Sequence, residues 1–517
     1  MTQFDRLADE ICENSAGPVF GVPGSGATLT LIDKLEHRGR EFVLTHFEGA
    51  GAMMAGTVGR LSGRAGVAMS IKGPGVTNMV PGLAVSFLEA YPMVAVVEAY
   101  GEDASAAKAH KRIDQAALTS TVCKGITQST AKASNFFQAA TLAGAETPGP
   151  VILELAQPEP KKPASLPVIP PDPQDSDAST VLAHVENAER PVAIAGTLAM
   201  RQDLSDQLNS LQIPIFSTAA AKGVANENGP FSAGVYTGVG LKLSPESSLI
   251  EQADLVVCIG MRPNEVLATR PFGTPSVNIC AARDPGSDAF GFEAIAAPDA
   301  TSDVLAALGE KSWGADEVAQ ANASIRRAML SNRFLPAHVF KQTQSHFDNC
   351  VRGVFDTGYF CTIAEHMWHA DRPAHCLMSG QGRYMGTGVP MALGAAIHDP
   401  SVPTVAFVGD GGIGPFVGEA KLAVERKLPL LFCLLTDGRF ASIRTRSLQD
   451  GLTERPLTPG LPSWLAVMEG FGMPAYRAAD EVAVADVLAA WDPGSGPAFL
   501  EIPFDPDPYE AMVKGIR

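Results

Sequence analysis

Short apolar runs alternate with helix-like segments along this 517-residue chain, and this alternation restricts the fold more than any other feature of the sequence. In the first 156 residues the apolar runs are PVFGVP, FVLTHF, GVAMSI, MVAVVEA and PVILEL. Apolar runs of this length, separated by helices, are typical of parallel strands covered by helices on both faces. The sequence therefore predicts an α/β fold with doubly wound parallel sheets.

The same alternation resumes twice after a proline-rich stretch at residues 157–177, QPEPKKPASLPVIPPDPQDSD. The second block contains RPVAIAG, IPIFST, ADLVVCIG and SVNICA. The third block follows the helix-prone stretch GADEVAQANASIRRAMLSN and contains GVFDTG, HCLMSG, TVAFVG, PLLFCLLTD and AFLEIP. A proline-rich stretch without apolar periodicity indicates an extended, exposed linker. We predict three successive domains, at residues 1–160, 178–325 and 335–517, with the linker at 161–177.

Composition excludes several classes of protein. The net charge of −17 argues against a nucleic-acid-binding surface, which requires clustered positive charge. No stretch approaches 18 uninterrupted apolar residues, so we expect no membrane span. The acidic first residues lack the apolar core of a secretory signal. The eight cysteines are scattered and form no C-x-x-C pair, which favours a reducing compartment. We therefore expect a cytoplasmic protein.

A glycine-rich turn, GDGGIG at residues 409–414, satisfies the pattern G-x-G-x-x-G of dinucleotide-binding proteins. Asp410 between the first two glycines would repel a bound pyrophosphate, but a divalent cation between them would reverse that interaction. Asp437 closes the next apolar run, so both carboxylates emerge at the same edge of a parallel sheet. Three interpretations remain open here: a metal–diphosphate site, an NAD site, and a plain turn at Asp437-Gly438.

A second pattern lies in residues 45–78, THFEGAGAMMAGTVGRLSGRAGVAMSIKGPGVTN. Its spaced residues are His46, Glu48, Ala52, Ala55, Gly56, Gly59, Arg60, Gly63, Gly73, Pro74, Gly75 and Asn78. Together with the later GDG, this pattern resembles the thiamine-diphosphate-dependent enzymes of the acetolactate synthase and 2-oxoacid decarboxylase superfamily. The resemblance extends over essentially the whole chain. It implies that the three domains are, in order, a pyrimidine-binding, a central and a diphosphate-binding domain.

The resemblance implies specific roles in the first domain. Glu48 would contact N1′ of the aminopyrimidine and promote the imino tautomer that generates the C2 ylid. Pro74 and Asn78 would lie on the cofactor side, and Ser25 would face the substrate as a second catalytic residue. A solvated surface glutamate is the alternative for Glu48, but its small, apolar neighbours favour a buried helix start, where a carboxyl can share a proton with a ring nitrogen.

In the third domain the resemblance implies a cofactor clasp and a metal site. Met385 would be the wedge that holds the cofactor bent, although an ordinary core methionine is the alternative, and the carbonyl of Arg383 would accept from the 4′-amino group. The residues that would contact the diphosphate are Thr357, Gly358, Tyr359, Phe360, Gly411 and Gly412. Mg²⁺ would be held by Asp410, Asp437 and the carbonyl of Arg439.

This sequence departs from the superfamily's pattern at several of these positions. Asp437 replaces the usual asparagine and adds a negative charge, which Arg439 would have to balance. Tyr359 and Phe360 replace polar residues that are often glutamine and histidine. Ser25 matches benzoylformate decarboxylase, but the histidine of that enzyme falls near Ile71 and is missing here.

Cations beside the expected site suggest a way of binding an anionic substrate. Lys72 precedes the GPG turn, and His110, Lys111 and Arg112 lie in AHKRIDQAAL, which aligns with a substrate-side segment of acetolactate synthases. Such cations could hold a carboxylate, sulfonate or phosphonate. Ordinary surface charges on a helix are the alternative for residues 110–112.

The resemblance implies a carboligase or decarboxylase that acts on a 2-oxo acid with thiamine diphosphate and Mg²⁺. Loss of CO₂ would leave an enamine, which a carbonyl acceptor captures in an acetolactate-synthase-like ligation, or which is protonated in a simple decarboxylase. FAD is possible, but no flavin signature supports it. A homodimer or homotetramer is expected, because the family pairs Glu48 and Asp410 across subunits. The rivals are a cofactor-binding module without activity and, more remotely, an NAD-dependent dehydrogenase.

Overall fold

The computed structural model describes residues 2–101, 104–105, 107, 109–130, 133–157, 176–282, 284–331, 333–460 and 462–513. Within these residues the chain forms three six-stranded sheets, and neighbouring strands run parallel throughout. Helices alternate with the strands in each sheet. The predicted α/β class with three parallel sheets is therefore confirmed. Nearly all of the predicted linker at 161–177 lies outside the described residues.

The first sheet has the strand order β2-β1-β3-β4-β6-β5. Its strands are β1 Val19–Gly21, β2 Phe42–Leu44, β3 Gly66–Ser70, β4 Met93–Tyr100, β5 Gly125–Gln128 and β6 Pro150–Gln157. The helices between them are α1 Gln3–Asn14, α2 Ala27–Glu36, α3 Glu48–Ser62, α4 Pro74–Leu88, α5 Gln115–Thr119 and α6 Phe136–Gly144. Because β3 and β4 are central and fully covered, their residues are almost all buried.

The middle sheet has the order β12-β11-β10-β7-β8-β9. Its strands are β7 Pro191–Ala195, β8 Ile215–Ser217, β9 Ser232–Val235, β10 Leu255–Ile259, β11 Ser276–Ile279 and β12 Ala294–Ala296. The associated helices are α7 Ala178–Asn187, α8 Thr197–Arg201, α9 Ser205–Ser210, α10 Pro245–Ile250, α11 Thr301–Gly309 and α12 Ala315–Leu330. Counted from its own first strand, this order is 3-2-1-4-5-6, the arrangement of dinucleotide-binding domains.

The third sheet has the order β14-β13-β15-β16-β18-β17. Its strands are β13 Arg352–Phe355, β14 Cys376–Met378, β15 Thr404–Gly409, β16 Leu430–Thr436, β17 Ala475–Arg477 and β18 Ala498–Pro503. Its helices are α13 Pro336–His346, α14 Tyr359–Met367, α15 Gly388–His398, α16 Ala420–Glu425, α17 Ala441–Gln449, α18 Trp464–Gly470, α19 Glu481–Ala490 and α20 Pro506–Val513. Counted from its own first strand, this order is the same as that of the first sheet.

The described chain groups into two compact units rather than into consecutive pieces. One unit contains residues up to 170 together with 389–401 and 416–428, and the other contains 171–388, 402–415 and 429 onward. Two segments of the third block, which include most of α15 and all of α16, therefore belong to the same unit as the first sheet. The predicted domain boundaries placed these two segments in the third domain. The boundaries themselves stay predictions.

Within the second unit, a buried ion pair of the middle block makes hydrogen bonds to the backbone of the third block. The ammonium of Lys222, which is 2% exposed, lies 2.6 Å from Oε1 of Glu227 and donates to the carbonyl of Glu365 at 3.0 Å. Oε2 of Glu227 accepts from the N–H of Ala370 at 2.7 Å. Burial raises the pKa of the Glu227 carboxyl, so the nearby ammonium is needed to keep it ionised.

Lys222→Met should strongly destabilise the second unit, because it leaves Glu227 buried without its cation. Breaking one side of a buried pair typically costs about 3–5 kcal/mol. The measurement is the midpoint of chemical unfolding followed by circular dichroism. Lys242→Met, which removes an exposed lysine of the same block, is the control and should leave the midpoint unchanged. Equal midpoints for the two variants would contradict the importance of this pair.

Candidate active site

Glu48 is the first residue of α3, and its carboxyl is only 8% exposed. The amide of Asn78 on α4 donates to its Oε2 at 3.1 Å. The two helices approach closely because Gly49 faces the carbonyl of Asn78 and Gly82 faces the carbonyl of Gly49, with no room for a Cβ at either position. The sequence-predicted pair Glu48 and Asn78 is thus brought together, and Pro74 begins the same helix α4.

The backbone before Glu48 is held by a second glutamate. The carboxylate of Glu419, which is 1% exposed, accepts from the N–H of His46 at 3.0 Å and from the N–H of Phe47 at 2.9 Å. Glu419, His46 and Phe47 all belong to the unit of the first sheet. Phe47 immediately precedes α3 and has no side-chain oxygen with which to cap it, so Glu419 supplies the negative charge and acceptors that a helix start requires.

Glu98, at the end of β4, holds two loops that carry predicted residues. Its Oε1 accepts from the N–H and hydroxyl of Thr28, just after the exposed Ser25, and its Oε2 forms an ion pair with Lys72. Burial alone would raise the pKa of the Glu98 carboxyl. The ion pair with Lys72 and the Thr28 donors nevertheless hold that pKa below its usual range. The positive charge of Lys72 is therefore already balanced, and its ammonium also lies 5.2 Å from the ring of Tyr100.

Lys111 lines a cavity of about 270 Å³ together with Tyr100, Arg112, Gln115 and Glu154 among others. Its backbone packs directly against Gly73 of the GPG turn, which leaves no space for a side chain there. His110 is exposed, and the lining formed by the described residues does not include it. Of the four cations named from the sequence, Lys111 and Arg112 are thus the two that line this cavity.

A cleft of about 330 Å³ lies at the carboxyl ends of β13, β15 and β16. It gathers most of the residues that the resemblance assigned to the diphosphate and the metal. Among its lining residues are Thr357, Gly358, Tyr359, Phe360, Met385, Asp410, Gly411, Asp437 and Arg439. The described lining does not include Arg383 or Gly412.

The two aspartates of the cleft differ in the hydrogen bonds that their carboxylates accept. Asp410 accepts from the hydroxyl of Thr436 through Oδ1, and from the N–H groups of Asp437 and Gly438 at 3.1 and 2.9 Å through Oδ2. Asp437 accepts from the N–H of Arg439 at 3.1 Å through Oδ1. Burial, reinforced by the charge of Asp410, raises the pKa of Asp437 to about 6. Burial also raises the pKa of Asp410.

Three buried polar atoms of this lining have no hydrogen-bond partner among the described residues: Oγ1 of Thr357, Oδ2 of Asp437 and Nη1 of Arg439. A hydroxyl, a carboxylate oxygen and a guanidinium N–H suit an anionic diphosphate with a bound cation. In the described part of the chain, no group of three or more His, Cys, Asp or Glu side chains could hold a metal ion. A Mg²⁺ site here would therefore rely on two carboxylates together with carbonyl, phosphate or water oxygens, which Mg²⁺ accepts.

The two predicted residues outside the cleft lining have other local roles. The N–H of Gly412 donates to the carbonyl of Gly409 at 3.0 Å, so it already serves the tight turn. The guanidinium of Arg383 donates to the buried carboxylate of Glu365 at 2.6 Å. The backbone of Arg383 has φ +44°, a left-handed conformation that is costly for a non-glycine residue. This ion pair anchors the strained turn before Met385.

Sequence reasoning missed Asp356, which organises the same cleft. Its fully buried carboxylate accepts from the N–H of Thr357 at 2.6 Å and of Gly386 at 3.0 Å, and it fills the space beside Gly412. Burial raises the pKa of Asp356 to about 6. Phe440 and Tyr509, which line the cleft, were also missed. Only Asp356 carried a usable signal, since it is an acid at the end of the predicted apolar run GVFDTG.

Comparison with known proteins identifies the family. Models of the thiamine pyrophosphate enzymes match residues 1–118 (N-terminal TPP binding domain), 178–283 (central domain) and 356–502 (C-terminal TPP binding domain). The chain belongs to the thiamine pyrophosphate enzymes. It is a thiamine-diphosphate-dependent carboligase or decarboxylase of the acetolactate synthase superfamily, as the resemblance implied.

Curated relatives span nearly the whole chain at low identity. An acetolactate synthase of Bacillus subtilis is 23% identical, over 97% of this chain and 93% of its own. A catabolic acetolactate synthase of Raoultella terrigena is 26% identical, over 97% and 94%. A probable 2-ketoarginine decarboxylase of Pseudomonas aeruginosa is 25% identical, over 97% and 94%. As for membranes, none of the helices in the described ranges has both the length and the hydropathy to cross one.

Divalent-cation affinity should rise with pH up to about 6 and then level off, because Asp437 must lose its proton to act as a ligand. Below pH 6, each further decrease of one pH unit should weaken cation binding about tenfold. Asp437→Asn should remove most of this slope, and Asp450→Asn, an exposed aspartate on the same stretch, should retain it. The measurement is Mn²⁺ titration by calorimetry with thiamine diphosphate present. An unchanged slope in Asp437→Asn would contradict a role of Asp437 in cation binding.

Glu419→Ala should loosen the start of α3, since it removes the acceptors for two backbone N–H groups. Losing a helix cap typically costs about 1 kcal/mol. The measurement is hydrogen–deuterium exchange of the peptide spanning residues 46–56, which should exchange several times faster in the variant. Glu425→Ala is the control, because Glu425 lies on the same segment, is half exposed and pairs with Lys421. If both variants exchanged at the wild-type rate, Glu419 would not hold this helix.

Proposed function

We propose that this enzyme decarboxylates a 2-oxo acid and transfers the remaining acyl carbanion equivalent to a second carbonyl compound, with thiamine diphosphate and Mg²⁺ as cofactors. The observation that carries the proposal is the cleft of the third sheet, where Thr357, Asp437 and Arg439 present buried polar atoms without partners among the described residues. The names of the acetolactate synthase relatives support ligation over simple decarboxylation.

The cleft residues divide the binding of the two cofactors between them. Asp410, Asp437 and the carbonyl of Arg439 would hold Mg²⁺, which in turn would neutralise the diphosphate. The hydroxyl of Thr357 and the guanidinium of Arg439 would bind phosphate oxygens, because both are donors that lack partners in the described structure. Arg439 would also offset part of the extra negative charge of Asp437, because it counteracts the burial and the charge of Asp410 that raise the pKa of Asp437. Gly358 and Gly411 would let the diphosphate approach the backbone.

Glu48 would act on the proton of the cofactor's pyrimidine nitrogen. When bound, thiamine diphosphate supplies the carbon nucleophile and the electron sink for this class of reaction. The carboxyl of Glu48 is shielded from solvent and is oriented by the amide of Asn78 at 3.1 Å, so it can hold a proton at one defined position. Glu419 keeps the backbone before it in place.

Met385, Tyr359 and Phe360 would provide the apolar part of the cleft. The sulfur of Met385 lies beside Gly411 and its side chain is 46% exposed, which fits a residue that supports a ligand rather than one that fills a core. Arg383 would turn its carbonyl toward the aminopyrimidine, since its left-handed backbone is fixed by Glu365.

Ser25, Lys72, His110 and Lys111 are the proposed substrate-side residues. Because Glu98 balances the charge of Lys72, the net positive charge available to a substrate is smaller than the sequence indicated. We therefore favour a 2-oxo acid with an uncharged side chain over one with a second acidic group. The family arrangement leads us to propose a homodimer or homotetramer as the working assembly.

Glu48→Gln should abolish turnover while leaving the fold intact, because the amide keeps the shape of the side chain but cannot exchange a proton. Loss of a general acid–base group typically slows the reaction about 10²–10⁴-fold. The assay is incubation with thiamine diphosphate and Mg²⁺ against a panel of neutral and acidic 2-oxo acids, with and without aldehyde acceptors. NMR of the products distinguishes ligation from decarboxylation.

The control for this experiment is Glu13→Gln, an exposed glutamate on α1, which should retain full activity. Full turnover of Glu48→Gln would disprove the proposed role of Glu48. If aldehydes were the only products even with acceptors present, the enzyme would be a simple decarboxylase and not a ligase.

A further inference from the structure

The middle sheet contains the point at which a dinucleotide would normally bind. Its strand order reverses between β7 and β10, which lie side by side. In open α/β sheets, ligands bind outside the carboxyl ends of the strands at this reversal, and a pyrophosphate rests on the helix that follows the first strand. Here that helix is α8, which begins at Thr197 directly after β7.

A carboxylate of the chain itself occupies this place. Glu265, in the turn that follows β10, is 1% exposed. Its Oε2 accepts from the N–H of Thr197 at 2.9 Å and from the hydroxyl of Thr218, after β8, at 2.8 Å. Its Oε1 accepts from the hydroxyl of Thr197. The donors that would face a phosphate are therefore already used by Glu265.

The two loops at the reversal are also in direct contact. A Cβ on Gly196 would collide with the carbonyl of Gly260, and a Cβ on Gly260 would collide with Leu198. The turn after β7 reads Gly196-Thr197-Leu198-Ala199-Met200 and so lacks the second glycine with which a dinucleotide fingerprint admits the pyrophosphate. Neither a gap nor a glycine-rich cradle is present between these loops.

Charge acts in the same direction as shape. A phosphate placed beside Glu265 would bring a second anion into a site from which water is excluded, where like charges repel strongly. Arg262, whose Nη1 lies 3.9 Å from Oε1 of Glu265, already pairs with Asp284 at 2.7 Å.

We infer that the middle domain of this enzyme binds no dinucleotide at its strand reversal and that the enzyme functions without flavin at this place, because Glu265 takes the position of the pyrophosphate. The same observation removes the middle sheet as a site for NAD. This inference concerns the middle domain alone and does not depend on the reaction proposed for the cleft of the third sheet.

The test is a nucleotide titration of the full-length protein. The purified protein should show no absorbance between 350 and 500 nm, the region in which flavins absorb. FAD, NAD⁺ and ADP at about 1 mM should give no saturable heat in calorimetry and no shift in melting temperature. Flavin retained in stoichiometric amount, or saturable binding of any of the three nucleotides, would overturn the inference.

A pair of variants tests whether Glu265 holds the loops at the strand reversal through its hydrogen bonds. Glu265→Ala should lower the melting temperature by several degrees, because the N–H and hydroxyls of Thr197 and Thr218 lose their common acceptor. Glu251→Ala, an exposed glutamate after α10, should not change it. Should Glu265→Ala fail to fold, Glu265→Gln retains the shape and should show a smaller loss. A melting temperature unaffected in both Glu265 variants would contradict the role assigned to this residue.

Discussion

Each of the three sheets has a carboxylate buried at the carboxyl ends of its strands, and the organisation of the loops depends on how that charge is satisfied. Taking a carboxylate out of water is costly unless donors replace the lost hydration. Glu98 meets this requirement in the first sheet, Glu265 in the second and Asp356 in the third. Glu98 and Glu265 each accept from one backbone N–H and from threonine hydroxyls, and Asp356 accepts from several backbone N–H groups. In each case the converging donors fix the loops between strand and helix.

The cleft that binds the cofactor in our proposal departs from this rule. Asp410 is fully supplied with donors, whereas Asp437 beside it keeps Oδ2 without a partner in the described structure, and its pKa is raised to about 6. A buried acid with an unpaired oxygen and a raised pKa does not stabilise the fold. Such a residue is typical of a site that is organised for binding rather than for stability. A cation between the two aspartates and a diphosphate would restore the balance that the other two sheets achieve internally.

All the central strands were predicted from the sequence, but of the six edge strands only β2 and β14 were. Strands such as β4, β10 and β16 are buried on both faces and therefore appear as long apolar runs. The strands of the described sheets that were not predicted are β5, β9, β12 and β17, and all four lie at sheet edges. An edge strand of three or four residues has one neighbour and is partly covered, so its sequence carries little apolar signal.

From the sequence, site residues could be proposed only where they lie in a local motif. Glu48, Asp410 and Asp437 lie in short motifs, and the resemblance located them. Glu419 and Glu265 were not found, because the meaning of each depends on donors that the fold brings from elsewhere: 373 residues separate Glu419 from His46. Nothing in the sequence around Glu419 distinguishes it from a surface glutamate.

The dinucleotide pattern shows why local and global features must agree before a site is assigned. The third sheet has the fingerprint G-x-G-x-x-G at residues 409–414, but its strand order is not that of a dinucleotide-binding domain. The middle sheet has that strand order, but it lacks the fingerprint and Glu265 fills its crevice. A dinucleotide-binding domain combines its strand order with a glycine-rich turn after the first strand, where the backbone approaches the pyrophosphate. In this chain the strand order belongs to the middle sheet and the glycine pattern to the third, so neither sheet combines the two. The glycine turn is left to hold Asp410 beside Asp437.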